Sequence, residues 1–170
     1  MYITETNSTN DLLKAHPEWI TIRTDFQTAG RGQAGNGWES ERGKNLLFST
    51  LLVQPCVAVS EQFSLSMAVA VALRDVVAMC LSPEMEATIK WPNDIYVGDK
   101  KLAGILIEHQ LAEGKIAQTI VGIGLNVNQE KWEGNAPNPT SLRLLTQQTW
   151  EIEPLMQMFL RNLSEEMQNL

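Results

Sequence analysis

The chain is short of residues that staple a fold or hold a metal. Two cysteines (Cys56, Cys80) and two histidines (His16, His109) stand far apart in 170 residues, so zinc-ligand spacing is absent. A core of this size buries roughly 70% of the unfolded surface, and neither kind of staple is needed. Positive charge is scarce too. There are 13 Lys and Arg against 20 Asp and Glu, a net charge of −7, with no basic run. Nucleic acids and anionic membranes are bound largely by phosphate neutralisation, so this balance argues against both. The longest uncharged apolar stretch, Gln62 to Leu73, is too short for a bilayer, which needs about 20 residues. The first residues form neither a basic nor an apolar segment, so no secretory signal is visible. Repeats and low-complexity tracts are missing. These absences predict one soluble, reduced, cytoplasmic domain.

What is present reads as α+β. Ile3–Thr6 is a strand candidate. Ser8, Thr9 and Asn10 each have the chemistry to cap a helix over Asp11 to Ala15. Trp19–Phe26 alternates apolar and polar side chains, the period of a half-buried strand. Residues 30–43 hold five glycines in fourteen positions and predict a loop. Asn45–Val53 reads as a buried strand ended by Pro55. Ser60 is the expected cap of a long helix to about Cys80, with an apolar stripe at 63, 67, 70, 71, 73, 76, 77 and 80. Thr88–Trp91, Ile95–Val97, Lys101–Gln110 and Ile116–Asn126 read as strands of an antiparallel meander, turning at Gly98-Asp99 and Glu113-Gly114. Asn128 to Thr140 predicts a loop. Ser141–Thr146 and Pro154–Asn169 predict helices. The sum is a mainly antiparallel sheet with helices on one face.

Gly30-Arg31-Gly32-Gln33-Ala34-Gly35 matches the G-x-G-x-x-G string, but neither an apolar helix nor a later acidic strand end follows, so a dinucleotide fold is not indicated. No Gly-Lys-Ser/Thr follows either, which excludes a P-loop. Two readings stay open at this point: a plain surface loop, or a loop closing over an anionic ligand. Glycines let backbone N–H groups approach oxygens, Arg31 adds a fork of donors, and Trp38 adds a face for stacking. Lys90-Trp91-Pro92-Asn93-Asp94 has turn chemistry, yet a turn needs neither Lys90 nor Trp91. Gly104 and Gly124 interrupt neighbouring strands. A glycine inside a strand marks a bulge or a close approach, and two side by side leave a slot for a narrow apolar ligand.

Four segments occur in order: Gly-Arg-Gly-x-x-Gly-x-x-Trp, Lys-Trp-Pro-Asn-Asp, Lys-Leu-Ala-Gly-Ile-Leu-x-Glu and Gly-Ile-Gly-x-Asn-Val. With Ser8-Thr9-Asn10 ahead of them, they resemble biotin–protein ligase from Ser8 to about Asn128. The resemblance implies a catalytic domain like that of class II aminoacyl-tRNA synthetases. It implies synthesis of biotinyl-5′-AMP from biotin and ATP with Mg²⁺, then transfer of biotin to a lysine of a biotin carboxyl carrier protein. By position, Lys101 matches the lysine at the biotin carboxylate and α-phosphate. Arg31, Gly32 and Gln33 match the loop over the acyl-phosphate junction. Ser8, Thr9, Asn10 and Gln27 match the surroundings of the ureido head, and Gly104 and Gly124 the floor of the biotin slot. Trp38, Asn93 and Asn126 match the nucleotide side. Asp94 is expected to position or deprotonate the acceptor lysine, with a role beside Mg²⁺ as the alternative. Glu108 is read as a satisfied strand carboxylate in preference to a Mg²⁺ ligand, Cys56 and Cys80 as buried thiols, and the two histidines as lacking partners.

The chain departs from many members by having Gln33, Ala34, Asn36 and Gly37 where further arginines stand, which leaves Arg31 as the loop's charge at the junction. Biotinyl-AMP should therefore dissociate faster than from an arginine-rich member, as a half-life measurement would test. Lipoate– or octanoate–protein ligases share the fold and an essential lysine; the Lys-Trp-Pro-Asn-Asp segment and Trp38 argue against them. A non-catalytic biotin-binding domain is opposed by Lys101, Asn93 and Arg31. A DNA-binding regulator is opposed by the charge and by catalytic motifs that begin at Ser8. The expectation is one catalytic domain over 1–170, without a DNA-binding domain or the C-terminal barrel of the family, and with a homodimer possible.

Overall fold

Strand alternation sends one set of side chains into a large apolar core and the other set to a polar, glycine-rich surface. The computed structural model describes residues 1–53, 58–134 and 138–168. The elements are β1 (Tyr2–Ile3), α1 (Thr9–Leu13), β2 (Ile20–Thr24), β3 (Leu46–Val53), α2 (Gln62–Cys80), β4 (Ala87–Lys90), β5 (Asp94–Val97), β6 (Lys100–Ala112), β7 (Lys115–Leu125), α3 (Leu142–Thr146) and α4 (Ile152–Met167). The strands form one seven-stranded sheet in the order β1-β2-β3-β7-β6-β5-β4. Only β1–β2 is parallel; the other neighbours are antiparallel. The architecture is α+β, as the pattern predicts.

Leu46, Phe48 and Leu52 of β3, Ile105 of β6, and Val121, Ile123 and Leu125 of β7 share one core with α2, Leu142 of α3 and α4. Phe48 meets Phe159 edge to face, with ring centroids 5.3 Å apart. The short α1 is the exception to helices gathered on one face. Its Leu13 packs with Ile22, Leu51 and Ile120 in a second, smaller cluster. Residues 51 and 120 stand on the sheet face opposite that of 52 and 121.

Several sequence expectations shift. β1 ends at Ile3, and Thr6 makes only an isolated bridge to Gln27. Ser60 does not cap α2: it lies in a 3-10 turn, Val59–Glu61, and the helix starts without a side-chain cap. The stripe holds at 70, 73, 76, 77 and 80 and shifts only in the first half of the helix. Leu65, Ala68, Val69 and Ala72 are buried, whereas Phe63 is exposed. Alanines at 68, 70 and 72 let the backbone of α2 sit close to the sheet, and Phe63 in the first turn points away from it. Val59–Cys80 has the length and apolarity of a membrane span. Core helices share that property, and this one contributes nine buried residues to the core. The helix expected from Ser141 starts at Leu142, and Ser141 caps it, accepting from the Leu144 N–H at 3.2 Å. Pro55 and Cys56 lie outside the described residues. Cys80 is buried, and burial pushes its thiol up to about 11. Both histidines have partners, contrary to expectation: His16 Nδ1 lies 3.2 Å from the Glu18 carbonyl and His109 Nδ1 3.0 Å from Thr119 Oγ1.

Candidate active site

Register puts the strand glycines together. Gly124 of β7 lies between Leu47 of β3 and Gly104 of β6, and Gly122 lies between Ser49 and Leu106. Above this floor, between α1 and residues 30–38, is a cavity of about 200 Å³. Ser8, Thr9, Asn10, Gln27, Arg31, Gly32, Gln33, Trp38, Asn93, Asp94, Lys101, Gly104 and Gly124 all line it. Asn126 does not. It lines an adjoining cavity of about 760 Å³, whose wall also includes Trp38, Asp94, Lys101, Trp132 and Pro139. Trp38 therefore stands between the two. Its indole lies directly on the glycine floor: a Cβ on Gly124 would come within 2.4 Å of Trp38 Cε2, and one on Gly104 within 2.9 Å of Cζ3. These glycines admit a tryptophan as well as leaving a slot.

The polar end is a closed hydrogen-bond cluster. Gln27 Oε1 accepts from the Thr9 N–H at 2.8 Å and lies 3.1 Å from Thr9 Oγ1. Thr9 Oγ1 is 2.6 Å from Ser49 Oγ, which donates to Asn10 Oδ1 at 2.5 Å. Asn10 Nδ2 donates to Glu108 Oε2 at 2.8 Å. Ser8 stands at the N-cap position of α1, but its hydroxyl makes no capping bond. Ser49 and Gly122 had no role in the expected site. Ser49 is signalled only as a polar residue inside the apolar run Leu46–Val53. Gly122 repeats the Gly124 signal, and a Cβ there would fall 2.1 Å from Asn10 Oδ1.

The two cations are held by separate carboxylates. Arg31 donates from Nη1 and Nη2 to the two Glu108 oxygens at 3.2 and 2.8 Å, and from Nη2 to Asp11 at 2.9 Å. Its buried Nε has no hydrogen-bond partner among the described residues. Hydrogen bonding to Glu108 pushes the Arg31 guanidinium up, so it stays charged. Burial opposes ionisation of Glu108, yet the bonds from Arg31 and Asn10 outweigh it and hold the carboxyl below its usual range. The reading of Glu108 as a satisfied carboxylate agrees with this. Lys101 Nζ lies 2.8 Å from Asp94 Oδ1 and 5.8 Å from the Trp38 ring. Asn93 spends its Nδ2 on the Ile105 carbonyl at 2.7 Å, which ties the 91–94 turn to β6. Lys90 stacks on Tyr96 and lines neither cavity. Trp38 Nε1 and Asn126 Oδ1 are buried without hydrogen-bond partners among the described residues, one donor and one acceptor beside the larger cavity. Among the described residues, no group of three His, Cys, Asp or Glu side chains is placed to hold a metal ion.

Residues 2–126 match the Biotin/lipoate A/B protein ligase family. The chain belongs to this family. It is 38% identical, over 67% of its length, to the Bifunctional ligase/repressor BirA of Bacillus spizizenii, an alignment that covers 34% of that protein. It is 36% identical, over 82% of its length, to the Biotin–[acetyl-CoA-carboxylase] ligase of Mycobacterium tuberculosis, of which it covers 53%. The chain thus spans a third to about half of these curated relatives. Among solved structures, the biotin protein ligase from Aquifex aeolicus in complex with biotin and ATP is similar with a TM-score of 0.83 and 30% identity, covering 99% of this chain and 69% of that one.

Proposed function

We propose that this chain carries the adenylating centre of a biotin protein ligase and attaches biotin to a lysine of a biotin carboxyl carrier protein. One observation supports this most. A single cavity lining joins a polar end at Thr9 and Gln27, an apolar glycine-and-indole middle, and the Lys101 ammonium. Biotin has the same order of parts: a ureido head, an apolar ring and chain, and a carboxylate.

In the first step a biotin carboxylate oxygen bonds to the α-phosphorus of ATP. The bond to the pyrophosphate oxygen breaks, and pyrophosphate leaves. Two anions approach each other, so a preorganised cation at the junction is worth more than binding alone. Lys101 supplies it. Trp38 and Asn126 face the nucleotide, with an N–H and a carbonyl oxygen left unpaired for it. Mg²⁺ accompanies ATP as a counter-ion of its phosphates. Asp94, the one carboxylate lining the smaller cavity among the described residues, is the side chain that would reach Mg²⁺ if it did not take the proton-accepting role below.

In the second step the acceptor amine attacks the acyl carbonyl, AMP leaves and an amide forms. A lysine with a reference pKa of about 10.4 arrives protonated and must lose that proton. Asp94 receives it after Lys101 turns from Asp94 to the ligand. The reading places this chemistry in the cytoplasm.

The test is incubation with MgATP, labelled biotin and an apo-carrier domain. Label on the carrier is expected, and none with Lys101→Ala. Pyrophosphate exchange with biotin, lipoate and octanoate in parallel separates the rivals: exchange driven by lipoate but not biotin overturns the proposal. Biotin binding without any exchange reduces it to a binding domain.

A further inference from the structure

Behind the polar end of the cavity there are more oxygen contacts than hydrogens to fill them. Gln27 Oε1, Thr9 Oγ1, Ser49 Oγ and Asn10 Oδ1 stand in a row, 3.1, 2.6 and 2.5 Å apart. Only the two hydroxyls in this row carry hydrogens that can lie along it. Both ends are fixed. Gln27 Oε1 already accepts the Thr9 backbone N–H at 2.8 Å. Asn10 Nδ2 donates to Glu108. An ionised carboxylate accepts only, so Asn10 must turn its oxygen to Ser49.

The directions then follow. Ser49 donates to Asn10, and Thr9 donates to Ser49. The alternative sends the Thr9 hydrogen to Gln27 across 3.1 Å and leaves two hydroxyl oxygens 2.6 Å apart with no hydrogen between them. Thr9 Oγ1 is thereby left as an acceptor toward the cavity. Gln27 Nε2, unbonded among the described residues, is left as a donor.

We infer that Glu108, acting through Asn10 and Ser49, sets the hydrogen-bond polarity of Thr9 and so selects a head group that offers an N–H to Thr9 and a C=O to Gln27. A cyclic urea does both; a dithiolane ring or an alkyl tail has no N–H to give. The inference rests on the ligase reading. Glu108 and Ser49 do not line the cavity, so they are positioning residues. Gly122 belongs to the same device, because any side chain there would displace the Asn10 oxygen. Glu108 also receives Arg31, so one carboxylate orients the head pocket and fastens the glycine-rich loop beside it.

The test is equilibrium dialysis of the whole chain with labelled biotin and with biotin methylated on a ureido nitrogen. A glutamine at 108 donates as readily as it accepts, so Asn10 is free to turn and the row loses its direction. Leaving a buried polar group mispaired costs about 1–3 kcal/mol. Glu108→Gln should therefore weaken biotin about 10- to 100-fold and change the methylated analogue less than about threefold. Asn10→Asp alone sets two carboxylates together and should be weak as well. Asn10→Asp with Glu108→Gln reverses the bond between 10 and 108, the glutamine now donating, while residue 10 keeps an acceptor toward Ser49, and biotin affinity should recover to within about fivefold of the parent. Ser49→Ala should weaken biotin by about tenfold and add nothing to Glu108→Gln.

Circular dichroism checks that each variant is folded. Should Glu108→Gln not fold, Ser49→Ala carries the same comparison. The inference is overturned if Glu108→Gln or Ser49→Ala binds biotin as the parent does. It also falls if the paired substitution is no tighter than Glu108→Gln, or if biotin and its analogue weaken equally. Failure of the parent chain to bind biotin would instead remove the ligase reading beneath it.

Discussion

β3, β6 and β7 present two opposite surfaces made from alternate residues of the same strands. On one, Phe48, Ile105 and Ile123 pack against α2 and α4. On the other stand Ser49, Gly104, Glu108, Gly122 and Gly124. The first surface is filled, so its side chains act through volume. The second is built from small and polar residues, so it acts by what it admits: the Asn10 amide over Gly122 and the Trp38 indole over Gly104 and Gly124. One sheet serves both ends because a period of two lets neighbouring residues do unrelated work.

If the division holds, substitutions on the two surfaces should separate stability from binding. The largest effect is expected from Phe48→Ala, which empties the Phe159 contact. Urea unfolding should show a loss of about 3–5 kcal/mol, while biotin affinity of the folded fraction stays within about threefold. Lys101→Gln should do the reverse. Pyrophosphate exchange should fall about 10²- to 10³-fold, or roughly 2.7–4 kcal/mol of barrier, with unfolding free energy changed by about 1 kcal/mol or less. Gly124→Ala should displace the indole, at about 1–3 kcal/mol, seen as a shift in tryptophan emission and weaker biotin binding. A variant with unchanged emission would mean that the indole does not rest on this floor.

The smallest effect is a slope with pH. His109 stands on the core surface next to Glu108 on the other. Burial pushes the His109 imidazole below its ordinary 6.5, whereas Glu108 is held below its ordinary 4.5. A base whose folded pKa is depressed contributes stability fully present above the unfolded value and lost as pH falls below it. Stability should therefore decline as pH drops through 6.5 toward 5, and His109→Gln should remove that part of the slope. Glu108 contributes only at lower pH, because its carboxyl stays ionised across this interval. Equal slopes in both proteins would break the assignment.

Much of the site was legible because its parts are local. Lys90-Trp91-Pro92-Asn93-Asp94 reads as a turn with two residues to spare, and a turn it is, braced by Asn93. The strand glycines read as a missing surface, and register sets Gly104 beside Gly124. The facing of the first turns of α2 was not legible. Phe63, Leu65, Met67 and Val69 all suit a core by composition, and only packing on the sheet selects Leu65 and Val69. The fate of Arg31 was hidden for a similar reason. Its partners Asp11 and Glu108 lie 20 and 77 residues away, and nothing local to the glycine loop names them.

By itself, the sequence determined the α+β class, the antiparallel meander and the glycine floor, because propensity, period and turn chemistry act over a few neighbours, while most residues of the cavity were named by the resemblance of the ordered motifs to biotin–protein ligase. Only the tertiary structure decided which cation pairs with which carboxylate, where Trp38 rests, and that Ser49 and Glu108 stand behind Thr9. Those depend on strand register and on loops meeting across the sheet, and hydrogen-bond direction exists only once the partners are in place.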